Sequence, residues 1–176
     1  SNWVVSGVTR ADKDGISLGK QPAGPDHDFT ATFTLPYPPG ELRAVAIADG
    51  KPVGEAVLAT AGEVKNLVLA AESESVSAGS EDLAYIQVLL TDGNGRLNPA
   101  VRYNLTAVVE GDGELMGFGT AEPDSMNRYD DGKAESFEGK ALLIVRPNNE
   151  GEIKVKVTAE REGAETLSAG LTLDVL

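Results

Sequence analysis

The sequence predicts an all-β fold, and three observations carry this prediction. Apolar and polar residues alternate with a period of two in many short segments, which gives each predicted strand one face for a core. Five Asp-Gly dipeptides, beginning at positions 14, 49, 92, 112 and 131, separate these segments and favour tight turns. No apolar pattern with a period of 3.6 residues continues for two turns, so almost no helix is expected.

The first third of the chain predicts a small β unit. A half-buried strand is expected over residues 29–35, where threonines alternate with Phe29, Ala31, Phe33 and Leu35. After a break at residues 36–40, segments 42–48 and 53–59 flank Asp49-Gly50 and predict a hairpin. A junction at residues 61–63 then suggests two domains, 1–62 and 63–176.

The second predicted domain contains seven extended segments. Their apolar residues lie at alternate positions, as in Ala84, Ile86, Val88 and Leu90. Short strands with frequent turns are typical of an immunoglobulin-like β-sandwich, so the chain is predicted to hold two such sandwiches in tandem. The segments are residues 67–71, 84–90, 103–109, 115–119, 141–146, 153–159 and 167–175.

Composition excludes several functional classes. The 28 acidic residues outnumber the 15 basic ones, and the net charge of −13 disfavours nucleic acid and anionic membranes as partners. There is no cysteine, hence no disulfide and no thiolate nucleophile or metal ligand. No apolar run reaches the roughly 18 to 20 residues that span a bilayer, and no signal-peptide pattern is expected at the N-terminus.

No residue set predicts catalysis, a cofactor or a metal. His27 is the single histidine and lies between two aspartates, and no Gly-x-Ser-x-Gly motif accompanies it. The segment Asp12-Lys13-Asp14-Gly15 departs from a calcium loop at both ends, where Arg10 and Gln21 replace the acidic ligands. A solvated turn is the favoured interpretation at both places, and no pair of carboxylates stands out for glycoside hydrolysis.

The long polar segment 120–138 is the one candidate contact loop, because connections of this length in a sandwich are uncommon and sometimes functional. A solvated loop is the simplest interpretation. The alternatives are a calcium site, a sugar contact through an aromatic ring, or packing on another domain. Its candidate residues are Glu122, Asp124, Arg128, Tyr129 and Asp130. Other aromatic candidates for stacking on a sugar are Trp3, Tyr37, Tyr85 and Tyr103.

Several motifs, taken in order, resemble the C-terminal, non-catalytic β-sandwich domains of β-galactosidase-like glycoside hydrolases of family 2. The order and approximate spacing of these motifs are moderately specific, although no single motif is diagnostic. The segment 11–19 departs from the family pattern, so the completeness of the first domain is left open. The matching segments are residues 36–46, 60–63, 83–88, 92–95, 113–119 and 137–146, with Pro123.

The resemblance implies a non-catalytic C-terminal accessory region that supports or spaces the catalytic domain of a larger glycoside hydrolase. Its partners would be the catalytic and other domains of that enzyme, or carbohydrate, and its location would be periplasmic or extracellular. None of the family's catalytic residues can be placed on this sequence. Two alternatives stay open, an immunoglobulin-like repeat of a bacterial surface adhesin and a carbohydrate-binding module.

Overall fold

The computed structural model describes residues 7–34, 39–79, 82–123 and 129–176. These residues form thirteen strands and one 3-10 turn, Pro25–His27, which confirms the all-β prediction. The chain divides into two compact units, Ser1–Ala61 and Gly62–Leu176. The sequence predicts two domains that meet between residues 62 and 63. Compactness does not test whether each part folds independently, so the domain boundary stays a prediction.

The described residues of the first unit form one antiparallel sheet of four strands, β1 (Gly7–Lys13), β2 (Ile16–Ala23), β3 (Glu41–Ala48) and β4 (Lys51–Ala59). Their order in the sheet is β2-β1-β3-β4. The predicted hairpin is confirmed, because β3 and β4 pair across Asp49-Gly50. Asp49 and Gly50 have φ values of +49° and +74°, and Asp14-Gly15 repeats this geometry between β1 and β2, as two-residue hairpins require.

The strand predicted over residues 29–35 is wrong for the part that the structure describes. Residues 30–34 have no regular secondary structure, and Leu35 lies outside the described residues. Asp28 and Phe29 have φ values of +49° and +55°, which turn the chain at the point where the strand should begin. Ala31 and Phe33 are half-buried whereas Thr32 and Thr34 are exposed, so burial still alternates along this segment. An apolar face alone does not make a strand, since the backbone also needs a pairing partner.

The described residues of the second unit form nine strands in two sheets. The strands are β5 (Asn66–Ala71), β6 (Ser75–Val76), β7 (Ala84–Thr91), β8 (Asn104–Gly111), β9 (Gly113–Gly119), β10 (Lys133–Glu135), β11 (Lys140–Pro147), β12 (Gly151–Glu160) and β13 (Leu167–Val175). One sheet has the order β10-β8-β12-β13-β6 and the other β5-β7-β11-β9. All neighbours are antiparallel except β13 and β6.

The inner faces of these two sheets form one hydrophobic core. The predicted period of two is confirmed in β7, β11 and β12, whose alternate residues are buried. Such alternation is what a sandwich of two antiparallel sheets requires. The residues of this core that are completely inaccessible to solvent are Ile86, Leu90, Phe118, Leu143, Val145, Ile153, Val157, Ala159 and Leu173.

The segment 120–138 is not a loop throughout. Residues 133–135 form β10, which pairs with β8 and is the edge strand of the larger sheet. Ala134 is buried in the core, and the Ser136 hydroxyl accepts a hydrogen bond from the Tyr103 amide at 2.9 Å. The sequence hides this strand because three residues are too few to display a period of two.

We predict that Leu143→Ala destabilises the second unit by about 2 to 5 kcal/mol, because it opens a cavity in a closely packed core. The neighbouring Leu142→Ala is the matched control, since Leu142 points outward and is 38% exposed. Leu142→Ala should lower the free energy of unfolding by less than about 1 kcal/mol. Differential scanning calorimetry of the two variants would measure the difference, and equal losses would contradict the assignment of inner and outer faces.

Candidate functional site

The structure describes three of the five residues predicted for the contact loop. Glu122 precedes the break in the described chain, and Tyr129 and Asp130 follow it. Asp124 and Arg128 lie outside the described residues. Tyr129 and Asp130 are exposed, whereas Glu122 is half-buried. Glu122 and Tyr129 lie at the two ends of the segment between residues 122 and 129.

Glu122 is held by an arginine. Its two carboxylate oxygens accept hydrogen bonds from Arg102 Nη1 and Nη2 at 3.0 and 2.6 Å, and Arg102 Nη1 also donates to Glu135 at 3.0 Å. The guanidinium lies 5.5 Å from the centroid of the Phe137 ring. The hydrogen bond from Arg102 lowers the pKa of Glu122, and both glutamates raise the pKa of Arg102. Glu122 thus fastens the start of the loop to β10.

Tyr129 closes the other end of the loop against β9. Its carbonyl oxygen accepts a hydrogen bond from the Phe118 amide at 2.7 Å. Its ring lies over Gly119, where any Cβ would collide with it. The side chain is nevertheless 51% exposed, so one face of the ring remains available to a ligand or another protein surface.

A second polar cluster, which the sequence did not single out, is centred on Asp92. This side chain is only 2% exposed. One of its oxygens accepts the amides of Asn94 and Arg96 at 2.8 and 2.9 Å, and the other accepts the Gly62 amide at 2.9 Å. The hydrogen bond from Gly62, followed by that from Arg96, lowers the pKa of Asp92. The carboxylate therefore stays charged although it is buried.

Two asparagines complete the Asp92 cluster. Asn98 Nδ2 donates to the Gly62 carbonyl at 2.7 Å, and Asn66 Nδ2 donates to the Asp92 carbonyl at 3.0 Å. Both main-chain groups of Gly62 are thus bonded to the turn between β7 and β8. The sequence predicted Asp92-Gly93 only as a turn, and nothing in one sequence shows that its partner lies thirty positions earlier. The cluster is a structural anchor for the first residue of the second unit.

The remaining candidates do not assemble into a reactive site. His27 and its neighbouring aspartates are exposed on the 3-10 turn. Among the described residues, no three histidine or acidic side chains are grouped so that they could hold a metal ion. Trp3 and Tyr37 lie outside the described residues, Tyr103 is buried, and Tyr85 is 37% exposed. None of the described helical segments is long and apolar enough to cross a membrane.

The fold of the second unit defines a β-sandwich class, and comparison with known proteins identifies the family. Residues 67–168, more than half of the chain, match the family described as glycoside hydrolase family 2 C-terminal domain 5. The chain belongs to this family. Residues 13–54 match a domain of unknown function, DUF4982. The resemblance inferred from the sequence motifs is confirmed.

Individual relatives agree with this assignment. The chain is 29% identical over 163 residues to the β-galactosidase BoGH2A of Bacteroides ovatus, and the match covers 92% of this chain but 17% of that enzyme. A family 2 member from Bacteroides cellulosilyticus is 31% identical with a TM-score of 0.76, over 93% of this chain and 22% of its own. A β-glycosidase from Bacteroides vulgatus is 25% identical with a TM-score of 0.73, over 96% and 21%. The chain therefore spans about a fifth of the length of these relatives.

We expect Asp92→Ala to lower the melting temperature of the second unit by at least about 5 °C, because three main-chain amides lose their buried acceptor. Asp92→Asn should fall between this variant and the parent, since one oxygen survives while an amino group would face the Gly62 amide. The matched control is Asp131→Ala, which removes an exposed acceptor for the Lys133 amide. Calorimetry would measure all three variants, and equal melting of Asp92→Ala and Asp131→Ala would refute the anchor.

The stabilisation by Asp92 should depend on pH. The folded-state pKa of Asp92 is lowered, so its stabilising contribution is present above the ordinary carboxyl pKa and is lost as pH falls through the folded value. The melting-temperature difference between the parent and Asp92→Asn should therefore shrink below about pH 4. A difference that is constant between pH 7 and pH 3 would contradict a charged Asp92.

Arg102→Met should return the pKa of Glu122 towards the usual range for a glutamate, since the hydrogen bond from Arg102 is the main cause of its lowering. Carbon-detected NMR titration of the side-chain carboxyl group would measure this change. The melting temperature should change little, because the side chains of Arg102 and Glu135 are 44% and 45% exposed and water weakens such ion pairs. Arg146→Met, which removes the ion pair with Glu114, is the control and should leave the Glu122 titration unchanged.

Proposed function

We propose that this chain is the C-terminal accessory region of a larger, β-galactosidase-like family 2 glycoside hydrolase, where it supports or spaces the catalytic domain and does not itself catalyse. One observation carries the proposal. More than half of the chain matches a C-terminal domain family, while the chain spans only 17% to 22% of the relatives it resembles. The larger part of such an enzyme is therefore contributed by other domains.

The roles of the acidic side chains support a structural function. Glycoside hydrolysis usually needs two carboxyl groups that face each other across a pocket. Three carboxylates of the second unit are engaged in structural bonds, since Asp92 binds three amides and Glu122 and Glu135 bind Arg102. The described interior of the unit is a cluster of apolar side chains. These residues stabilise the sandwich instead of presenting a reactive pair.

A carbohydrate-binding module is the second candidate, and one observation favours it. Tyr85 and Tyr129 expose 37% and 51% of their surfaces, and such rings can stack on a pyranose. The adhesin alternative has no comparable support from the described residues. A periplasmic or extracellular location follows from the proposed parent enzyme and belongs to the same proposal.

The test compares the purified 176-residue chain with the full product of its gene. The full product should hydrolyse aryl β-galactosides, and the isolated chain should release no more product than buffer alone. Calorimetric titration of the isolated chain with galactosides and plant polysaccharides should give a flat trace. Saturable heat that is abolished by Tyr129→Ala or Tyr85→Ala would identify a carbohydrate-binding module and overturn the accessory role.

A further inference from the structure

One outer face of the sandwich breaks the usual pattern for an antiparallel sheet. Where such a sheet faces water, its outward residues are normally polar. On the β5-β7-β11-β9 sheet, most outward side chains away from the rim are instead apolar, with Gln87 on β7 as a polar exception, and each of these apolar residues is exposed or half-buried. We call this surface the outer apolar face, and it consists of Val68, Tyr85, Leu89, Met116, Leu142 and Ile144.

Strand register places these apolar residues side by side around Gln87, which lies opposite Leu142 on β11 and Ala70 on β5. Val68 lies opposite Leu89, and Ile144 lies opposite Tyr85. On the other side of β11, Ile144 and Leu142 pair with two glycines of β9, Gly117 and Gly119. Glycine has no side chain, so neither partner residue covers Ile144 or Leu142. The Tyr129 ring covers Gly119 and so extends the face beside Leu142. The candidate loop residue Tyr129 is therefore part of the same surface.

The opposite outer face of the same sandwich is a built-in comparison. Outward residues of β8 and β12 are mostly hydroxyl-bearing or charged, including Thr106, Glu110, Lys154 and Lys156. Val108 is the exposed large hydrophobic residue on these two strands, and it lies opposite Lys156. A polar outer face of this kind is typical of a sheet that is exposed to water. The apolar character is thus specific to one sheet and is not a general property of the unit.

Charged groups stand at the rim of the outer apolar face. Lys140 lies opposite Leu89 at one end of β11, and Arg146 forms an ion pair with Glu114 at 3.1 Å at the other end. A shallow groove beside Lys140 is lined by Thr120, Ala121 and Phe137. An apolar centre with tyrosine and methionine, surrounded by polar groups, is the composition of a protein interface.

We propose that the outer apolar face docks on another domain of the same glycoside hydrolase polypeptide, a proposal that rests on the proposed function. The matched part is only 17% and 22% of the length of two relatives, so most of such a polypeptide lies outside this chain. A covalently joined partner of sufficient size is therefore available. Linkage gives such a partner an effective concentration on the order of millimolar, so even a modest interface is occupied. A second copy of the chain is a poorer occupant, because each copy carries a net charge of −13.

Hydroxyl-radical footprinting of the full gene product and of the isolated 176-residue chain tests this directly. Tyr85 and Met116 both react with hydroxyl radicals and lie on the face. Their modification rates should be at least about fivefold lower in the full enzyme, because an interface core excludes water. The β8 peptide that contains Val108 should be modified equally in the two proteins.

A matched pair of variants adds a second readout. Leu142→Glu places a charge in the centre of the face, and Val108→Glu places the same charge on the polar sheet at a comparably exposed position. In the full enzyme, Leu142→Glu should restore the modification of Tyr85 and Met116 to the rates of the isolated chain. Val108→Glu should leave them protected. The comparison of the two unsubstituted proteins stands even if a variant fails to fold.

Three results would overturn the docking proposal. Equal modification of the face in the full enzyme and in the isolated chain would show that no domain covers it, while leaving the accessory role intact. Protection of the isolated chain that grows with its concentration would identify a second copy as the occupant. Protection that requires added polysaccharide would identify a sugar surface. A gene product without a catalytic domain would instead refute the proposed function itself.

Discussion

Two antiparallel sheets of the second unit must bury their inner faces against each other, and most of the structure depends on this constraint. The alternate residues of β7, β11 and β12 point inward, so Ile86, Leu143 and Val157 meet in one interior. Because the side-chain period of a strand is two, a slip of one residue would expose all of them. The constraint fixes register, and register in turn fixes which residues face outward.

Polar anchors then hold the segments that the core does not. Asp92 binds the Gly62 amide where the second unit begins, and Arg102 ties Glu122 to Glu135 where the long connection leaves β9. These anchors differ in environment. Asp92 is buried and its partners are main-chain amides, whereas the Arg102 network joins side chains that are partly exposed to water. The first defines a position and the second mainly restrains a connection.

The family assignment and the unequal outer faces lead to one view of function. The chain corresponds to about a fifth of the length of related enzymes. In the proposed function such a region contributes through contacts with other domains and needs no catalytic site of its own. A sandwich with one polar outer face and one largely apolar outer face has the features that the proposed docking on neighbouring domains requires. In that proposal Tyr129, the candidate from the long loop, contributes through its position beside the outer apolar face.

The sequence by itself determined the all-β class, the strands with long alternating patterns and the motifs that resemble family 2 enzymes. These features are local, since each strand such as β12 carries its own pattern. Only the tertiary structure decided that residues 30–34 lack a strand, that residues 133–135 form one, and that Asp92 reaches Gly62. It also united Tyr85, Leu142 and Tyr129 on one face. The physical reason is that pairing partners and faces are set by contacts between residues distant in the chain, which local patterns do not encode.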